Sequence, residues 1–184
     1  MVYLAALASG IVVELILRRC LCKNPRFPFV ALIFVLTCSV LLRASDDPVT
    51  IVKGFFLSIG MIVISVYDGL THNIPNVLML PLLAIGLIGF NPSMSLLGLI
   101  AGFLPFLLIA LLTKGNIGGG DIKLMAATGF AIGPAAVIAG VLIGLTASMP
   151  YRLISRLHHH QKLNPYALAP WLCSGCFVAY LLNH

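Results

Sequence analysis

The sequence predicts an all-α protein, a polytopic bundle of about eight transmembrane helices, with six to eight allowed by the length of the apolar runs. Three observations predict it. Hydrophobic residues fill 60% of the 184 positions and charged residues only 9%, against about 25% charged in ordinary soluble domains. The mean hydropathy is +1.09. Apolar runs recur from one end of the chain to the other, broken by short polar turns, and no polar stretch is long enough for a soluble domain. A signal peptide followed by a soluble domain is therefore excluded, and residues 1–184 read as one integral-membrane domain.

The apolar segments follow in order. Residues 2–17 form the first, and Arg18, Arg19, Lys23 and Arg26 behind it mark a cytoplasmic loop, so the N-terminus starts outside. Residues 27–42 return to the outer side, where Asp46, Asp47 and Pro48 make a turn and Arg43 runs against the charge rule. Residues 49–67 come back in and end at Asp68. Pro75 opens the next helix at its first turn, where a missing N–H costs nothing, and residues 76–90 go out. Residues 94–113 come in to Lys114 and a glycine run. Residues 122–150 are long for one span and short for two. Gly133 and Pro134 divide them, and Arg152, Arg156, Lys162 and His158, His159 and His160 behind them read as a basic cytoplasmic loop. Parity then asks for two short helices hinged at Gly133 and Pro134; one tilted span is the alternative and would put one of the flanking loops outside. Residues 166–182 exit, leaving both termini outside.

The net charge of +6 belongs to orienting loops, since the cations build no polar surface for nucleic acid. Five cysteines, Cys20, Cys22, Cys38, Cys173 and Cys176, show no paired metal spacing. Cys173 and Cys176 fall inside an apolar segment and read as small packing residues. The histidine run has no acid or cysteine beside it to complete a metal site.

Chemistry is carried by the acids, of which there are five: Glu14, Asp46, Asp47, Asp68 and Asp121. Asp68 and Asp121 both fall at the expected cytoplasmic membrane edge, where an unpartnered carboxylate is costly. Two such groups at one depth suit an aspartyl dyad, in which one takes a proton from water and the other donates to the scissile carbonyl. Close carboxyls divide these roles because both resist being charged together. Gly118, Gly119 and Gly120 precede Asp121 and predict an open, non-helical run whose backbone an extended peptide can approach. Lys123 reads either as a neighbour of the dyad or as a headgroup anchor. Asn76 reads either as a helix start or as a residue that orients the dyad or the substrate.

The motifs carry a more specific resemblance. Residues 68–76, DGLTHNIPN, have the form D-x5-I-P-N, and residues 118–123, GGGDIK, have the form GxGD with a basic residue two places on. LMAATGFAIG at residues 124–133 continues the second motif. Pro165 and Tyr166 match a terminal proline motif whose usual glycine is Ala167 here. Over roughly residues 55–172 the chain resembles type IV prepilin peptidases, the GxGD intramembrane aspartyl proteases. The resemblance implies Asp68 and Asp121 as catalytic acids and Gly118 and Gly120 as motif glycines. It also implies water as nucleophile, with no metal and no cofactor. The implied reaction removes short basic leaders from type IV-like prepilins or pseudopilins, at the cytoplasmic face of a bacterial inner membrane and among its lipids. Many full-length members carry an insert with two CxxC pairs and also N-methylate the product. Here only Cys20, Leu21 and Cys22 stand in that loop, so the expectation is a short form without methyl transfer, similar to peptidases of Flp-type pili or secretion pseudopilins. A small proton- or ion-coupled transporter and a non-catalytic membrane subunit of a pilus or secretion system are the alternative readings.

Overall fold

The computed structural model describes residues 36, 37, 39, 41 and 43, and residues 47–112, 118–158 and 167–183. The expected segment 2–17, most of 27–42, the basic cluster after the first segment, Lys114, His159, His160, Lys162, Pro165 and Tyr166 lie outside the described residues.

Among the described residues there are six α-helices, one 3-10 turn and no strand. Helix α1, Pro48–Thr71, starts on a strong signal: the Asp47 carboxylate accepts from the Thr50 amide (3.1 Å) and hydroxyl (2.9 Å), and Pro48 occupies the first turn. It ends at His72, whose left-handed backbone (φ 50°) lets its amide donate to the Asp68 carbonyl at 2.8 Å. A 3-10 turn, Asn76–Leu78, runs into the short α2, Met79–Gly86. Then follow α3, Pro92–Leu112, α4, Gly119–Ile132, α5, Pro134–His158, and α6, Ala169–Leu182.

The expected hinge is present. Gly133 turns the chain between α4 and α5 at φ 85°, a conformation that disfavours a side chain, and Pro134 starts α5. Other boundaries differ from expectation. Helix α1 runs a turn beyond residue 67, so Asp68 lies within the helix rather than at its end. Pro75 stands before the 3-10 turn rather than in a helix. Gly119 and Gly120 are helical, not an open run. Helix α5 continues through Pro150 to His158, so Arg152, Arg156 and His158 are helical positions rather than loop.

Helices α1 and α3 are long and apolar enough to cross a membrane. The burial pattern of α3 inverts that of a soluble helix. Its buried residues are Ser95, Gly98, Gly102 and Phe106, while Leu97, Ile100, Leu104, Leu108 and Leu111 are exposed. Small residues at the seam and large apolar ones outside are what lipid, not water, selects. A Cβ added to Gly98 would collide with the Gly129 carbonyl, and one added to Gly102 with the Met125 carbonyl, so α3 and α4 meet backbone to backbone. Gly140 and Gly144 of α5 meet Cys176 and Trp171 of α6 in the same manner.

Helix α3 thus packs on α4, and α5 on α6. Helix α6 also packs on α1, and α2 on α4. Helices α1 and α4 share no comparable seam of their own. Leu57, Met61 and Ile64 of α1, Leu82 of α2, Leu124 and Met125 of α4 and Leu172 of α6 form the common core.

Candidate active site

Asp68 is only 6% exposed, one turn from the end of α1. A buried carboxyl needs partners. One is supplied from far along the chain: the Ala169 amide, in the first turn of α6, donates to Asp68 Oδ2 at 3.2 Å. Pro170 occupies that same first turn, where amides have no acceptor inside the helix. His72, which caps α1, lies near enough to Asp68 to act on it electrostatically.

Asp121 stands in the first turn of α4, outside α1 and α3, which among the described residues are long and apolar enough to cross a membrane. A carboxylate there sits at the positive end of the helix. Gly118 is the N-cap, with extended backbone (φ −63°, ψ 135°), and Asp121 Oδ2 folds back to within 3.4 Å of where a Gly118 side chain would begin. Burial first, and the charge of Asp68 second, push the Asp121 carboxyl up to about 6. The charge of Asp68 therefore reaches Asp121 through space, although their helices share no broad seam.

Most of the remaining expected residues meet where the loop after α1 touches the start of α4. Lys123 Nζ donates to Asn76 Oδ1 at 3.0 Å, joining the D-x5-I-P-N loop to α4. Ile74, 6% exposed, sits 3.2 Å from where a Cβ on Gly120 would be. Gly120 is small because Ile74 lies on it; Gly119 has nothing within 4 Å of a Cβ position. Pro75, extended at φ −69° and ψ 142°, carries the chain from Ile74 into Asn76.

Two contributors escaped the sequence reading. The Ala169 amide is a backbone group that no residue type announces, although Pro170 marks a helix start nearby. Cys173, buried in α6, lies beside the Ser65 hydroxyl and close enough to both acids to feel their charge. An apolar groove of about 410 Å³ runs between α1 and α6 past Met61, Ser65 and Cys173, and reaches Gly69 and Pro170, the neighbours of Asp68 and Ala169. Among the described residues no three His, Cys, Asp or Glu side chains gather as a metal site.

The family model described as Type IV leader peptidase family matches residues 55–153. The chain is 39% identical over 137 residues to a protein of Bacillus subtilis (strain 168) named "Prepilin leader peptidase/N-methyltransferase", covering 68% of this chain and 53% of that one. Proteins of the same name from Dickeya chrysanthemi and Neisseria gonorrhoeae are 34% and 32% identical over 147 and 145 residues. These alignments cover 71% of this chain in both cases, and 50% and 48% of the relatives. The chain thus spans about half the length of the curated relatives it matches. No solved structure matches it.

Proposed function

This chain belongs to the type IV leader peptidase family, and from that premise we propose that it is an aspartyl endopeptidase that removes leaders from type IV-like prepilins or pseudopilins, Flp-type among them. What supports the reading is that the Asp121 carboxyl, at the start of one helix, is pushed up by burial and by the charge of Asp68 on another. Asp121, whose carboxyl titrates near 6, holds the shared proton and gives it to the scissile carbonyl oxygen. Asp68, held by the Ala169 amide, is ionised and takes a proton from the attacking water. Water adds to the carbonyl carbon; the C–N bond of the tetrahedral intermediate then breaks as Asp68 passes the water's proton to the leaving amine and Asp121 takes its own back from the hydroxyl.

The first-turn amides of Gly119 and Gly120 have no acceptor within the helix and are the donors offered to an extended substrate backbone. The reading sets the dyad at the cytoplasmic edge of a bacterial inner membrane and concerns the peptidase step alone. It is tested by co-expressing a prepilin with the wild-type chain, Asp68→Asn and Asp121→Asn, and following leader loss by mass. Each variant is expected to lose at least about 10³-fold in rate, within the range for removing a positioned acid or base. Normal cutting by both variants sinks the protease reading, and loss in only one shows that the dyad is wrongly assigned.

A further inference from the structure

The two acids sit on helices that do not grip one another, so something else must fix their separation. Two contacts span the gap on one side. Downstream of Asp68 the chain reverses at His72, and Ile74 lands against the backbone of Gly120, one residue before Asp121. Two residues on, Asn76 Oδ1 accepts from Lys123 Nζ at 3.0 Å. The contacts flank Asp121 along α4, one before it and one after. They also account for the spacing of both motifs: isoleucine and asparagine stand two apart in the loop, with glycine and lysine three apart on the helix.

Resting on the peptidase reading, we propose that Ile74, Asn76, Gly120 and Lys123 form a latch that sets the distance between the two carboxyls. Asn76 and Lys123 are its positioning residues. Ile74 gives the latch a buried, apolar foot, which excludes water and resists shear. The Asn76–Lys123 bond is exposed and adds little to global stability. Its effect is on geometry, where small displacements of a reacting group carry large costs in rate. The latch also accounts for Lys123 without placing its charge on the dyad, because its ammonium is engaged by Asn76.

The test has two arms. In the first, cleavage of a co-purified prepilin is measured for Asn76→Ala, Lys123→Met, the double variant and Asn76→Asp. Each of the first two is expected to lower kcat by roughly 10- to 100-fold with little change in KM. The double variant is expected to be no worse than either single one, and Asn76→Asp, which keeps an acceptor for Lys123, to retain activity. The second arm needs no turnover. Asp68→Cys and Asp121→Cys are combined on a chain whose five native cysteines are replaced by alanine, and the pair is joined in detergent with a short bis-methanethiosulfonate, each thiol displacing one methanesulfinate. Asn76→Ala is expected to slow cross-linking several-fold and Asn76→Asp to leave it unchanged. Equal cross-linking with and without Asn76→Ala overturns the latch, even if activity falls, because Asn76 would then act on substrate. No cross-link in the reference pair also overturns it. A wild-type chain that cuts no prepilin defeats the functional reading alone, and the second arm still decides the latch.

Discussion

Asp68 and Asp121 are the same residue type in unlike surroundings. Asp68 is packed inside a helix with a backbone amide on one oxygen, while Asp121 lies at a helix start over a glycine. Because burial and the neighbouring charge hold the Asp121 proton to about 6, the sign of the pH effect follows. Below that value Asp121 is protonated and the pair has a proton to donate. As pH rises through it, Asp121 ionises and the donor is lost. Cleavage by kcat/KM is expected to fall on the alkaline side by about tenfold per pH unit, one proton's worth, and a flat profile from about pH 5 to 8 would remove Asp121 as donor. These two acids stood out in the sequence because carboxylates are so rare in it. Their unequal environments did not, since those depend on an amide about a hundred residues away and on burial.

The helices themselves are governed by close contact rather than by propensity. The glycines of α3 stand at Gly98 and Gly102, four apart on one face, and their neighbours across the seam are carbonyl groups of α4. Gly98→Ala forces those backbones apart and is expected to cost about 1–3 kcal/mol. Gly119→Ala, helical and with open space around it, is expected to be neutral or to stabilise by up to about 1 kcal/mol. Thermal melts in detergent compare them, and equal effects would mean that the α3–α4 seam is not tight. This spacing is visible in the sequence, yet glycine alone does not say whether it opens a chain or lets two helices touch. The run at Gly118, Gly119 and Gly120 shows the ambiguity. It invites an unwound reading, but a helix begins there, because Ile74 covers Gly120 and the Asp121 carboxylate favours a helix start. The turn at Gly133 and Pro134 was legible because a glycine followed by a proline has few other uses.

At the scale of the molecule, α6 is fastened to α1 at both ends. Near one end the Ala169 amide meets Asp68, and near the other the buried Tyr180 hydroxyl donates to the Thr50 carbonyl at 2.8 Å. Tyr180→Phe removes that second tie and is expected to cost about 1 kcal/mol, read as a lower melting temperature with cleavage retained. A loss of cleavage without a loss of stability would contradict a purely structural tie. Hydropathy located these helices but missed several of their ends, because apolarity marks each segment and not its caps. It was silent on which helices pair, since long-range packing leaves no periodicity in any one of them. The tie at Asp68 has a practical meaning for anyone trimming the chain. The stretch that aligns with the family ends at residue 153, whereas the amide that braces the first acid belongs to residue 169. A fragment cut to the homologous block would keep both signature aspartates and yet expose the first of them, so an inactive fragment of that kind would report a missing wall rather than a faulty catalyst.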